Sequence, residues 1–225
     1  MEREKVGAVI VAAGKSERMG GIDKVFAETG GRPLIAKVMD AFQTCDAIDE
    51  IVLVLGEENL DRGKKLVRQN EWPKVKSVCP GGARRQDSVR EGLKRLVDCE
   101  WAVIHDGARP LVNADLIVRG LAEARESGAA IAGVPVKDTI KLATPEGFVR
   151  ETPRRDGMWA IQTPQVFRFG LIVRAHEAIT EDVTDDAAMV ERMGLPVKIY
   201  VGSYENIKVT TPEDLALVET ILRNR

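Results

Sequence analysis

Apolar runs alternate with helix-patterned segments over the first 136 residues of this 225-residue chain. Continuous, β-branched apolar stretches at 6–12, 50–55, 75–79, 101–105 and 130–136 predict strands. They lack a polar alternate face, which fits strands covered on both sides, as in a parallel sheet packed between helices. Segments 34–44, 59–70, 87–97 and 115–127 read as the intervening helices. The β-α-β-α order predicts an α/β, Rossmann-like fold with a mostly parallel central sheet and helices on both faces.

The rhythm changes after Val136. Short alternating segments, 137–142 and 148–152, flank Thr144-Pro145-Glu146-Gly147, a turn-forming sequence. They predict a β-hairpin at about 137–155, which the pattern alone allows to be a lid, an oligomerisation arm or an edge hairpin of the main sheet. Helices follow near 170–179 and 185–193, then a strand at 197–201 and a last helix from Pro212 to about Arg223. Thr211-Pro212-Glu213-Asp214 supplies a capping hydroxyl, a first-turn proline and acids at the positive helix end. No repeat or flexible linker divides the chain, so the expectation is one domain, 1–225, with a projecting arm.

Composition narrows the function classes. Against 33 Lys and Arg stand 35 Asp and Glu, a net −2 that argues against a general nucleic-acid binder. A neutral total still permits a local cationic pocket. No run approaches the 18 apolar residues of a membrane helix, and the N-terminal apolar stretch ends in Gly and charge rather than a cleavage site. Cys45, Cys79 and Cys99 form no C-x-x-C pair, and two His are too few for a multi-histidine metal hydrolase. A cytoplasmic protein with reduced thiols is expected.

Three loops at predicted strand ends carry candidate chemistry. Ala12-Ala13-Gly14-Lys15-Ser16-Glu17-Arg18-Met19-Gly20-Gly21-Ile22-Asp23-Lys24 offers backbone N–H groups and fixed cations to phosphates. It is only a fragment of a P-loop, because Val9 stands where the first Gly is required, and G-x-G-x-x-G is absent. Cys79-Pro80-Gly81-Gly82-Ala83-Arg84-Arg85-Gln86-Asp87-Ser88 permits close backbone approach, but it also reads as a routine strand–helix connection capped by Asp87 or Ser88. His105-Asp106-Gly107-Ala108-Arg109-Pro110 places an acid where a nucleotide's Mg²⁺ could sit and an Arg that could hold phosphate. The bland alternative is an Asp–Arg pair closing a turn. Lys208, Arg154 and Arg155 are individually weak signals, and Thr163-Pro164-Gln165 reads locally as a turn.

Taken in order, these motifs resemble the 2-C-methyl-D-erythritol 4-phosphate cytidylyltransferase family of the nucleotidyltransferase superfamily, over Val6 to about Leu222. Ala12-Ala13-Gly14 with Arg18-Met19-Gly20 and Lys24 carries the superfamily likeness. Gly81-Gly82 with Asp87-Ser88-Val89, the 105–110 loop, Pro135-Val136-Lys137-Asp138-Thr139, Gly157-Met158-Trp159 through Thr163-Pro164-Gln165, and Asn206-Ile207-Lys208-Val209-Thr210 carry the family likeness. Asp23 replaces a common family proline, and Gly107 stands where Ala is common.

The resemblance implies transfer of CMP from CTP to methylerythritol phosphate with release of pyrophosphate. It assigns Arg18, Lys24 and Lys208 to catalysis, Arg18 holding the triphosphate while the two lysines flank the α-phosphate. Ala12, Ala13, Gly14, Gly82 and Ser88 would line the cytosine and ribose pocket, and Asp106 would hold Mg²⁺. Arg109 and Thr139 would contact the acceptor phosphate, with Arg155 and Thr184 reaching in from the other subunit of a homodimer. The resemblance thereby favours the arm among the hairpin's alternatives. A cytidylyltransferase for ribitol 5-phosphate and a silent nucleotide-binding module are the competing readings. The latter is disfavoured because Lys24, Asp106 and Lys208 are all present.

Overall fold

The computed structural model describes residues 3–14 and 24–224. Its centre is a seven-stranded sheet built from β1 (Val6–Ala12), β4 (Glu50–Leu55), β5 (Val75–Pro80), β6 (Trp101–Asp106), β7 (Ala129–Pro135), β10 (Trp159–Arg168) and β11 (Lys198–Val201). Small ribbons are formed by β2 (Glu28–Thr29) with β3 (Arg32–Pro33), and by β8 (Leu142–Ala143) with β9 (Val149–Glu151). The sheet order is β11-β7-β10-β6-β1-β4-β5, parallel except where β10 runs against β6 and β7.

Alternate residues of the buried strands serve two cores, which explains their unbroken apolar sequences. On one face, Ala8 and Ile10 of β1 and Val103 of β6 share a core with α1 (Leu34–Thr44), through Met39 and Phe42, and α4 (Ala114–Ser127), through Ile117. On the other, Val9, Val11 and Ile104 share a core with α3 (Arg85–Leu93), α5 (Phe169–Ala178) and α6 (Asp186–Arg192). The helix α2 (Leu60–Gln69) follows β4, preceded by a 3₁₀ turn at Glu57–Asn59. A third cluster joins Leu34, Leu111 and Val209 to Val218 of α7 (Pro212–Arg223). Among the described residues no helix is long and apolar enough to cross a membrane.

The chain order switches direction at β1, whose neighbours are β4 on one side and β6 on the other. Open α/β sheets bind ligands outside the carboxyl ends of the strands at such a point. Here β1 delivers Ala12, β5 delivers Pro80-Gly81 and β6 delivers Asp106 to the same end. Register pairs Val11 with Asp106 directly across the switch.

Two local outcomes differ from the pattern. Residues 159–168 form the long antiparallel strand β10, although Thr163-Pro164-Gln165 reads as a turn. Pro164 cannot donate to a ladder, and the β10–β7 register shifts between Ile161 and Gln165, so the strand passes through the proline by way of an irregularity. The hairpin at 137–155 does form, but as a ribbon separate from the main sheet, which sets aside the edge-hairpin reading. It exposes Phe148 at 72% and Val149 at 60%.

Candidate active site

The turn after β5 is shaped by Ser88. Its hydroxyl accepts from the Gly82 N–H at 3.1 Å and donates to the Arg84 carbonyl at 3.1 Å. A Cβ on Gly81 would lie 2.4 Å from the Ala13 Cβ and 2.6 Å from the Ser88 Oγ, so the approach of this turn to the end of β1 requires glycine. The helix α3 starts two residues before its predicted position: Arg84 is the N-cap, and the Asp87 carboxylate accepts its backbone N–H at 3.2 Å. That early start makes Arg85 the first helical residue.

Lys24 is placed by the two residues on its C-terminal side. Val25 and Phe26 are buried, and the Val25 carbonyl accepts the Ile35 N–H at 2.9 Å, docking the segment on the start of α1. Lys208 is placed similarly. Val209 is buried and donates its N–H to the Ala108 carbonyl at 2.8 Å, while the buried Asn206 side chain donates to the Thr163 carbonyl at 2.8 Å. Arg109 Nη1 donates to the Asn206 carbonyl at 2.7 Å, tying this segment to the loop after β6.

These elements enclose a cavity of about 610 Å³ whose lining includes Ala12, Ala13, Gly14, Lys24, Gly82, Ser88, Asp106 and Lys208. A second cavity, of about 400 Å³, shares Arg85, Asp106 and Lys208 with it and adds Arg109, Gln165 and Thr184. Thus most of the residues singled out in the sequence converge on one cleft. Arg18 lies outside the described residues. Thr139 and Arg155 sit on the exposed arm, away from both cavities, where Arg155 Nη1 donates to the Lys137 carbonyl at 2.6 Å. Thr184 lines a cavity of its own chain beside Arg109 and Lys208.

Asp106 is the electrostatic centre. Its Oδ2 meets Lys208 Nζ at 2.8 Å and Arg109 Nε at 3.8 Å, and its Oδ1 accepts Arg85 Nε at 3.0 Å. Burial by itself raises a carboxyl pKa, but the neighbouring Arg85, Lys208 and Arg109 cations outweigh it and hold Asp106 well below the usual carboxylate range. The Asp–Arg turn pair exists only as the loose Arg109 contact; Arg85, which the motif reading did not single out, is the closer arginine. Its signal was its place in the second glycine loop, but partnership with residues 21 and 101 positions away is not readable locally.

A neutral relay backs this carboxylate. The Asp106 N–H donates to Thr163 Oγ1 at 3.1 Å, and Thr163 lies 3.0 Å from His105 Nδ1, while His105 Nε2 lies 3.2 Å from the Arg109 carbonyl. A carbonyl only accepts, so Nε2 carries the proton and Nδ1 accepts from the threonine hydroxyl. Burial pulls the imidazole pKa down to about 4. Among the described residues no group of three or more His, Cys, Asp or Glu is arranged to hold a metal.

Comparison with known proteins gives a consistent picture. Residues 6–224 match the family model described as 2-C-methyl-D-erythritol 4-phosphate cytidylyltransferase. The chain is 51% identical over 220 residues to the protein of that name from Dehalococcoides mccartyi, covering 98% of this chain and 97% of that one. It is 44% identical to that of Alkaliphilus oremlandii, covering 98% and 96%. Among solved structures it is similar to 4-diphosphocytidyl-2C-methyl-D-erythritol synthase from Anaerococcus prevotii, with TM-score 0.86, 33% identity, and 98% and 96% coverage. The Thermus thermophilus cytidylyltransferase matches with TM-score 0.79, 32% identity, and 97% and 99% coverage.

The relay makes a pH prediction. The folded His105 pKa, about 4, lies below the unfolded value near 6.5, so between these the unfolded chain binds a proton that the native imidazole refuses. Stability therefore falls with pH through that window, by about 2 kcal/mol between pH 7 and 4.5 from this group. Urea unfolding at both pH values should show that extra loss in the wild type relative to His105→Asn; equal losses would contradict it.

Proposed function

Because the chain belongs to the 2-C-methyl-D-erythritol 4-phosphate cytidylyltransferase family, we propose that the cleft around Asp106 is where it transfers CMP from CTP to 2-C-methyl-D-erythritol 4-phosphate. The products are 4-diphosphocytidyl-2-C-methyl-D-erythritol and pyrophosphate. What supports this location is the convergence of Lys24, Asp106 and Lys208, from three distant segments, on the cavity formed by the glycine turns.

In the proposed step an oxygen of the acceptor phosphate attacks the α-phosphorus of CTP. A new P–O bond forms as the bond to the bridging α–β oxygen breaks, and its electron pair leaves on pyrophosphate. The acceptor phosphate is already ionised near neutral pH, so no general base is needed. The protein's task is alignment and stabilisation of charge on the α-phosphoryl oxygens. Lys24 and Lys208 take that charge, with Arg18 on the triphosphate. Ala12, Ala13, Gly14 and Gly82 border the cytosine and ribose. The Ser88 hydroxyl is committed to its own turn, so it acts here by shaping the wall. Arg109 and Thr184 face the acceptor from the second cavity.

A divalent ion such as Mg²⁺ fits one part of this site. A single carboxylate, Asp106, already surrounded by cations, suits a metal that arrives on triphosphate oxygens rather than one held in a protein cage. Bound there, the ion would neutralise phosphate charge.

The exposed ribbon supports a homodimer in which the arm completes the neighbouring site. Thr139 and Arg155 lie on the arm outside the cleft of their own chain, and Leu142, Phe148 and Val149 are exposed beside them. A cytoplasmic location belongs to the same proposal.

Two experiments test these statements. Pyrophosphate release with CTP and Mg²⁺ should be faster on 2-C-methyl-D-erythritol 4-phosphate than on ribitol 5-phosphate, and Lys24→Ala and Lys208→Ala should each lower kcat by about 100-fold or more. Faster turnover of ribitol 5-phosphate, or kcat within threefold of wild type in both variants, would contradict the assignment. Mixing Lys24→Ala with Arg155→Ala subunits should restore activity toward roughly a quarter of wild type, because half of the dimers are hybrids with one intact site. No recovery after verified exchange would exclude the trans role of Arg155.

A further inference from the structure

Arg85 lines both cavities, and its guanidinium is divided among three directions. Nε donates to Asp106 Oδ1 at 3.0 Å, and Nη1 donates to Asp186 Oδ2 at 2.7 Å. Nη2 is buried and has no hydrogen-bond partner among the described residues. In a planar guanidinium, Nε and Nη2 share one edge, so the unpartnered nitrogen lies on the edge that meets Asp106.

Asp186 is fully buried at the start of α6 and lines neither cavity. Its second oxygen, Oδ1, meets the buried His176 Nε2 at 3.2 Å. The preceding residue, Asp185, caps α6 by accepting the Ala188 N–H at 3.0 Å, and takes the Gln165 side-chain amide of β10 at 2.7 Å. The anchor of Arg85 is therefore fixed by α5, α6 and β10 together. A surface arginine has no use for such an anchor. One that must hold a donor edge still beside a carboxylate does, and a buried unpaired N–H is costly until an acceptor arrives. Beside Asp106, at the boundary of the two cavities, the acceptor that fits a fixed cationic N–H is a phosphoryl oxygen.

We propose that Arg85 is a further phosphate-binding residue of the cleft, donating Nη2–H to a phosphoryl oxygen, and that Asp186 is its positioning residue. This rests on CMP transfer occurring in the cleft. The oxygen can belong to CTP or to the acceptor phosphate, and separate KM values tell these apart.

The test is steady-state kinetics on Arg85→Lys, Asp186→Asn and the double variant, alongside wild type and Lys24→Ala, with thermal midpoints for each. Arg85→Lys keeps the charge but loses the fork, so kcat/KM should fall at least 30-fold while the thermal midpoint stays within a few degrees. The KM that rises identifies the phosphate. Asp186→Asn should cost about tenfold, and the double variant should be no worse than Arg85→Lys within threefold, because Asp186 acts through Arg85. Should Asp186→Asn not fold, His176→Gln loosens the same carboxylate and takes its place in the cycle. Arg85→Lys within threefold of wild type, or penalties that multiply in the double variant, would overturn the proposal while Lys24→Ala still loses activity. A wild type that transfers no CMP would overturn both this and the reading beneath it.

Discussion

A single buried carboxylate at the end of a parallel strand sets the terms for the rest of the cleft. Asp106 is 6% exposed, and an isolated charge at such a depth would be neutralised by protonation. It stays ionised because Arg85, Lys208 and Arg109 surround it. Those cations come from the start of α3, from the segment before α7 and from the loop after β6, so their meeting requires all three to be docked correctly. The close approach at Gly81, the burial of Val209 and the Asn206 bridge each serve that docking. The fold is arranged so that positive charge is collected before any phosphate is present.

The sheet-forming half of the chain was readable because its strands are buried on both faces and its helices have one apolar side. Predicted segments at 6–12, 34–44 and 50–55 coincide with β1, α1 and β4. The strand β10 was not readable, because Pro164 signals a turn and only tertiary pairing with β6 and β7 overrides it. Within the cleft, Lys24, Asp106 and Lys208 were legible as motifs with recognisable neighbours. Arg85 was not, since its meaning comes from Asp106 and Asp186, and Asp186 lies 101 residues away. Ser88 is legible by its position, but its hydroxyl is spent on the turn, a use that only the backbone geometry reveals. That Thr184 borders a cavity beside Arg109 and Lys208 was not legible either, because chain order says nothing of which cavity a loop borders.

A net charge of −2 and a cation-rich cleft are compatible because charge is distributed by surface and site rather than by total. Many of the acidic residues are paired on the outside, as in Lys198 with Glu123 and Arg125 with Glu4. Among the described residues the two cavities are lined by Lys24, Arg84, Arg85, Arg109 and Lys208 against Asp106, Asp185 and Glu191, and Asp106 is held in place by the very cations that a triphosphate would recruit. Phosphoryl transfer between two pre-ionised groups calls for such a surface and for no proton relay. His105 fits that economy: it is neutral, buried and structural, holding Thr163 and the Arg109 carbonyl in place behind Asp106.

The most direct measurement of this account is a crystal structure of the protein with CTP and Mg²⁺. The cytidine should lie at the Gly81-Gly82 turn and the triphosphate beside Lys24, with the metal on Asp106 and Lys208 Nζ turned from Asp106 to a phosphoryl oxygen. A nucleotide bound away from Asp106, with the Lys208–Asp106 pair still closed at 2.8 Å, would contradict it.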